Sequence, residues 1–417
     1  MPRLAVVGLT WPPETFLQWK YRGLVERGWR VTVVASYVED PGVRIEGVRV
    51  VRQPDWQAGR ATHVAGVLRH GAALLVTSPR RFIRALRSVG SGPLWRFHYF
   101  LRLARLRADV VQFEWEGAAV ANLPLLAIVR RPMTMSCHGG LHVYLHSPER
   151  ASQFSRVAEA FEEASLVSGV SRAVLGEAER HGLDPDKARL IPTAVDPDVF
   201  SPGDARPAER ELRVVAVSWL RWLKGLEWAV AAVADLAARG VPVRLDVFGG
   251  SPQPPVGEAS DRERLLWTAT DLGVADRVRL HGHVTTGRLV EELRAADVLL
   301  HSSLSEGVPT VVLEAMSCGV PVVVTGVGGV TEAVTDGVEG LVAPARDASA
   351  LADALERLWV DPALRHRLGG AGRERVLRSF TLERQLDSFD ALYGSLIGGA
   401  QPAPVPPAPD PTPSLPL

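Results

Sequence analysis

The strongest constraint in this chain is an alternation. Short runs of Val, Ile and Leu recur along nearly its whole length, with longer helical stretches between them. A near-continuous apolar run suits a strand buried on both faces, and regular strand–helix alternation builds a parallel sheet covered by helices. The expected strands are Leu4–Val7, Val31–Ala35, Val110–Phe113, Thr134–Cys137 and Leu166–Gly169, followed by a second series. That series comprises Val214–Ser218, Val243–Phe248, Val278–His281, Val298–His301, Val320–Thr325 and Gly340–Val342. Helices are expected over Phe16–Arg27, Ser152–Glu163, Gly225–Arg239, Thr286–Ala295 and Ala348–Val360. The two series meet at Asp196–Pro207, where Pro197, Pro202 and Pro207 suit a linker. The expectation is an α/β protein with two doubly wound parallel-sheet domains, 1–200 and 201–375, and ligands at the strand C-termini.

Composition narrows the classes. A length of 417 residues suits two domains at roughly 100–200 residues each. Cys137 and Cys318 are the two cysteines and match no zinc spacing, so a reduced, cytoplasmic setting is expected. The first residues read as a strand rather than a signal peptide, and no apolar run reaches the ~18 residues of a membrane span. Residues 398–417 carry eight prolines and are expected to form a disordered tail. The net charge is zero, yet residues 1–200 hold 26 Lys+Arg against 19 Asp+Glu, and residues 201–417 hold 21 against 28.

The stretch from Ser303 to Val324 is the most informative. His301 ends an apolar strand, Glu306-Gly307 forms a loop, and Pro309 fits a first helical position, with the helix running to about Ser317. The amides of Thr310 and Val311 then have no partner inside the helix and form an anion site. Glu306 and Glu314 place an acceptor-only carboxylate on either side of it. Carboxylates flanking a phosphate site match a sugar nucleotide, which has ribose, diphosphate and sugar in that order.

Glu306-x7-Glu314 followed by Ala-Met-x-Cys-Gly-Val-Pro-Val-Val resembles the signature of the large retaining glycosyltransferase family with the GT-B fold, family 4 or group 1. The resemblance covers roughly residues 1–397. It implies two Rossmann-like domains facing a cleft, with a helix over 376–397 crossing back to the first. It implies a nucleotide-diphosphate sugar as donor, no obligatory cofactor, and transfer to a hydroxyl with retention, in glycan, polysaccharide or glycolipid synthesis. Glu306 would hold the sugar hydroxyls and Glu314 the ribose hydroxyls, with Gly307, Pro309, Thr310 and Val311 forming the donor loop. Val217–Gly225 resembles the segment that supplies cations to the diphosphate, and Lys224 matches its lysine. The family's arginine five residues earlier is replaced here by Trp219; Arg221 stands two residues on. If this segment is extended, a two-residue shift keeps the same face, which favours Arg221 as the substitute and Trp222 as packing. His283 borders the nucleobase segment. His138-Gly139 matches the family's His-Gly loop, which faces the donor, and Glu14 and Thr15, in the loop beginning at Gly8, fall on the acceptor side.

Other features bear on partners. Asp184-Pro-Asp186 and Asp196-Pro-Asp198 look like metal-binding Asp-x-Asp but read as turn formers, so no metal site is expected. From Trp56 to Ala108 there are ten arginines, Arg60 to Arg107, and no Asp or Glu. Phe82, Ile83, Trp95, Phe97, Tyr99 and Phe100 interleave with them, suggesting basic amphipathic helices that lie on an anionic membrane surface, and a glycan or lipid-linked acceptor. No nucleic-acid motif accompanies the charge. The rival readings are a non-catalytic sugar-nucleotide-binding or scaffold subunit and a GT-B epimerase or phosphorylase.

Overall fold

A computed structural model describes residues 1–145, 151–204, 211–250 and 258–398. Pro207 of the expected linker and the proline-rich tail from residue 399 lie outside the described residues. The described residues divide into two units: Met1–Val170 with Val174–Ile191 and Leu386–Gly398, and Pro192–Gln385 with Ser171–Ala173.

In the first unit, seven strands pair in the order β3-β2-β1-β4-β5-β6-β7. They are β1 (Arg3–Trp11), β2 (Arg30–Val38), β3 (Arg49–Arg52), β4 (Val110–Phe113), β5 (Met133–Cys137), β6 (Leu166–Gly169) and β7 (Ala188–Leu190). In the second unit, β8 (Leu212–Val217), β9 (Val243–Phe248), β10 (Val278–Gly282), β11 (Val298–His301), β12 (Val322–Thr325) and β13 (Gly340–Ala343) pair as β10-β9-β8-β11-β12-β13. Every pairing between these strands is parallel. Central strands such as β4, β11 and β12 are buried at every residue, as their unbroken apolar runs require. Strands β3 and β7 escaped the sequence reading because they are edge strands, open on one side and without an apolar run.

Two local expectations need correction. Gly8 does not open the first loop: β1 continues to Trp11 through a register shift at Val7/Leu9, leaving Pro12–Glu14 as the connection. Gly8 has φ +87°, and a Cβ there would stand 2.8 Å from the Ala118 Cβ. The helix expected over Ser152–Glu163 is two pieces, Ala151–Phe154 and Val157–Glu163.

Helix α1 (Thr15–Glu26) follows β1, and α2 (Arg60–Thr77), α3 (Pro79–Val89) and α4 (Leu94–Leu103) carry the arginine block. The outward faces differ from those expected. Phe100 is buried, and Phe82, Phe97 and Tyr99 pack against the core. Of the expected set Ile83 and Trp95 are exposed, joined by Val64, Leu68, Leu75, Val76 and Leu86. Phe82, Phe97, Tyr99 and Phe100 supply the inward stripe, where a ring buries a large area, while Trp95 stays outside it. Among the described residues, no helix is long and apolar enough to cross a membrane.

The chain breaks at Phe380–Thr381 between the helices Pro362–Ser379 and Leu382–Gly398. The latter packs on the first unit: Trp29 Nε1 donates to Asp390 at 2.6 Å, Arg27 pairs with Asp387 at 3.1 Å, and the Tyr393 hydroxyl donates to Gln112 at 3.1 Å.

Candidate active site

Strand order reverses between β1 and β4 in the first unit and between β8 and β11 in the second. Connections leave in opposite directions at such a point, so a crevice opens at the strand C-termini. Lys224 and Glu306 follow β8 and β11 and Glu14 follows β1, whereas His138 follows β5 and His283 the edge strand β10.

In the second unit, the chain leaves β8 at Val217 and makes a short 3₁₀ turn over Trp222–Lys224. Gly225 ends the turn at φ +57°, and a Cβ there would meet the Ser302 carbonyl at 2.3 Å. Two hydrogen bonds fasten the turn to the loop after β11: Leu304 N–H to Leu223 O at 2.8 Å, and Ser302 Oγ to Gly225 O at 2.8 Å. Lys224 is thereby brought onto Glu306, its Nζ 2.6 Å from Oε1. The same oxygen accepts from Ser303 Oγ at 2.7 Å and lies 3.0 Å from His301 Nε2. Burial alone would push the Glu306 carboxyl up, but His301 and Lys224 hold it down to about 2. Gly328 packs its backbone on this loop; it has φ +53°, and a Cβ would stand 1.9 Å from the Glu306 carbonyl.

The helix Thr310–Ser317 starts at once, with Pro309 as its N-cap, one position earlier in the helix frame than the sequence suggested. Gly307, Val308 and Pro309 are buried, so the loop is set by packing as well as by hydrogen bonds. Glu314 stands in the second turn, and burial pushes its carboxyl up to about 7.

Arg221 and its neighbours differ from expectation. Residues 218–221 are not a strand, so the same-face argument does not apply to them. The Arg221 guanidinium stacks over the Trp219 ring at 5.2 Å. Trp222 does not pack inward; it is half exposed, as is Trp219. His283 is exposed beyond β10, an edge strand separated from β8 by β9. The two Asp-Pro-Asp segments are turns: Asp184 accepts the Asp186 amide and Asp196 the Asp198 amide, each at 3.0 Å.

In the first unit, Glu14 caps α1 without a side-chain hydrogen bond to it, and Thr15 begins the helix. His138 follows β5, and Gly139 and Gly140 take φ of +97° and +91°. The His138 ring lies against Trp115 and Phe16, with centroids 4.7 and 5.3 Å away. Its Nε2 is buried 4.0 Å from Glu114 Oε2. Glu114, Glu116 and Lys20, all buried, escaped the sequence reading, as did His301 as a partner of Glu306. The available signals were two glutamates directly after a buried strand and the scarcity of lysine, three in the chain.

The fold is thus a double Rossmann-like one, with the start of the helix Thr310–Ser317 between the carboxylates of Glu306 and Glu314. Comparison with known proteins agrees. Residues 201–375 match the family described as Glycosyl transferases group 1, and residues 15–199 match Glycosyltransferase Family 4. The chain belongs to the group 1 glycosyltransferases and has the GT-B fold. Among curated relatives, D-inositol 3-phosphate glycosyltransferase of Acidothermus cellulolyticus is 38% identical over 224 residues, 49% of each chain. The protein of the same name from Stackebrandtia nassauensis is 35% identical over 248 residues, 57% of this chain and 55% of that one. The chain therefore spans about half the length of the curated relatives it matches. Of solved structures, sucrose-phosphate synthase from Thermosynechococcus elongatus superposes with a TM-score of 0.76 at 22% identity, covering 96% of this chain and 100% of that one. Anabaena HepE in complex with UDP and glucose gives 0.72 at 20%, covering 95% and 100%.

Proposed function

We propose that this chain is a retaining glycosyltransferase that moves a sugar from a nucleoside diphosphate to an acceptor hydroxyl. The observation that carries this reading is the Lys224–Glu306 contact at 2.6 Å, immediately before the helix Thr310–Ser317. A cation, a hydroxyl-binding carboxylate and unpaired helix amides then lie within one loop cluster. Lys224, Arg221 and the Thr310 and Val311 amides neutralise the diphosphate. Glu306 holds sugar hydroxyls, Glu314 holds ribose hydroxyls, and His283 borders the base. His138 faces the donor sugar or its phosphate, and on the acceptor side stand Glu14, Thr15 and Gly139. The bond from the anomeric carbon to the diphosphate oxygen breaks, the bond to the acceptor oxygen forms on the same face, and the acceptor proton passes to the leaving diphosphate. Electrostatic stabilisation of that leaving group is the main contribution of the protein.

The acceptor class is a glycan or a lipid-linked hydroxyl at an anionic membrane surface on the cytoplasmic side. Support comes from α2–α4, where Leu68, Val76, Ile83 and Leu86 are exposed among arginines in a block free of acidic residues. The name of the curated relatives, D-inositol 3-phosphate glycosyltransferase, makes a phosphorylated polyol an acceptor to include.

A thermal-shift screen of UDP-, GDP- and ADP-sugars tests the donor, since a ligand at 100 Kd stabilises by about 2.7 kcal/mol. One sugar nucleotide is expected to raise Tm and to be hydrolysed slowly, releasing sugar of unchanged anomeric configuration. No stabilisation by any donor, or inverted product, would overturn the proposal. Sedimentation with phosphatidylserine vesicles tests the surface, and binding is expected to fall in Leu68→Asp/Val76→Asp.

A further inference from the structure

The first unit encloses an ion pair that packing does not require. Lys20 is 2% exposed and Glu114 is fully buried. Lys20 Nζ donates to both Glu114 oxygens, at 2.8 and 3.0 Å, and sits 3.6 Å from the centre of the Phe389 ring. The Tyr21 hydroxyl donates to Glu114 Oε1 at 3.0 Å, and Gln112 Nε2 donates to Oε2 at 3.4 Å. Removing two charges from water is costly, and an apolar pair of similar volume is often as good or better for stability. Stability therefore gives no reason for this arrangement, and the neighbour of Glu114 supplies one.

That neighbour is His138. Glu114 directly follows β4 and His138 directly follows β5, and these strands pair in register through Phe113 and Met135. The two side chains therefore leave adjacent strand ends, at the edge where the first unit would receive a ligand. Nε2 of His138 is buried and faces Glu114 Oε2 at 4.0 Å, with no nearer hydrogen-bond partner among the described residues. Trp115 and Phe16 confine the ring.

We infer that Glu114 is a positioning residue for His138: its carboxylate, fixed by Lys20, turns Nε2 inward and leaves Nδ1 for the substrate. Burial opposes the charge on Glu114, yet Lys20 and His138 hold its carboxyl down to about 2. Among the described residues, the other charged groups acting on His138 are Glu14 at the start of α1 and Glu116 in the helix α5 (Glu116–Ala121). Glu116 Oε1 is buried without a partner, and its carboxyl interacts with Cys137. Lys20 and Tyr21 face Glu114 from α1, and Tyr393 faces it from the last helix. The inference rests on reading His138 as substrate-facing.

The test uses the full chain labelled at its histidines, with the His138 resonance assigned by its loss in His138→Gln. In the double variant K20M/E114Q both buried charges disappear together, so no lone charge remains inside. The ratio of His138 protonated at Nε2 to that protonated at Nδ1 in the neutral ring, read from its 15N shifts, is expected to fall by about 10-fold or more, as for loss of a charged acceptor. The other histidines serve as controls. A change below about two-fold in the folded double variant overturns the inference. Glu114→Asp, which keeps both charges but withdraws the carboxylate, serves the same test should the double variant not fold: a fall in that ratio supports the inference and an unchanged ratio overturns it. Hydrolysis of UDP-glucose separates the inference from its premise. If His138→Ala turns over like the parent, the premise is lost; if it loses turnover while the double variant keeps the parent's His138 tautomer ratio, only the inference is lost.

Discussion

Lys224 Nζ and Glu306 Oε1 lie 2.6 Å apart, so the cation assigned to the donor diphosphate is already paired with the carboxylate assigned to the donor sugar. A diphosphate entering this loop competes for the lysine. Glu306 keeps His301 and Ser303 as partners when it does.

Competition has a measurable sign. Glu306→Gln is expected to bind UDP as tightly as the parent or several-fold tighter, because Lys224 is released, while turnover of the sugar nucleotide falls. Lys224→Ala is expected to reduce turnover by about 10²–10³, the usual cost of one oxyanion-stabilising donor. Calorimetry with UDP and a hydrolysis assay read the two effects. Normal turnover in Lys224→Ala with intact donor binding would remove Lys224 from the chemistry.

His301 is 4% exposed and donates to a carboxylate. Hydrogen bonds to charged groups contribute about 1.5–3 kcal/mol. His301→Leu is therefore expected to destabilise the protein at pH 7 by roughly that amount. Glu306 is held at about 2, below its ordinary range, so its contribution is complete above pH ~4.5 and disappears as pH falls toward 2. The difference between His301→Leu and parent should shrink across that window in urea titrations.

Glu314 titrates in the opposite sense. Its carboxyl, raised to about 7, favours the folded state below the unfolded value near 4.5, and this advantage is lost as pH rises through 7. Stability measured from pH 4.5 to 8 should therefore fall less in Glu314→Gln than in the parent. An identical pH slope in the two proteins would refute the burial of this group.

The same contrast explains what a sequence can announce. The parallel sheets were legible because buried strands need unbroken Val and Leu runs, and Glu306 and Glu314 because a helix start and its flanking loop are local in the chain. The contacts of Lys20, Glu114 and His138 were not legible, because three separate segments supply them and no local pattern marks their meeting. Trp222 and Phe100 exchanged expected places for a related reason. Burial is decided by which face of a turn or helix meets the sheet, and short irregular segments carry no periodicity from which to read it.

Gly328 offers a backbone test. Its positive φ and the 1.9 Å approach to the Glu306 carbonyl leave no room for a methyl group. Gly328→Ala is expected to cost at least about 1–3 kcal/mol, the range for such strain, and to weaken donor binding by displacing Glu306. A thermal melt and a UDP titration measure both.

The last helix makes the first unit a product of both chain ends. Phe389 covers the Lys20 ammonium, and Tyr393 bonds to Gln112 beside the same carboxylate. During synthesis the residues of β1 to β7 emerge long before Leu382–Gly398 is translated. Until then Lys20 and Glu114 lack part of their cover, although the residues of every strand in both units have already been translated.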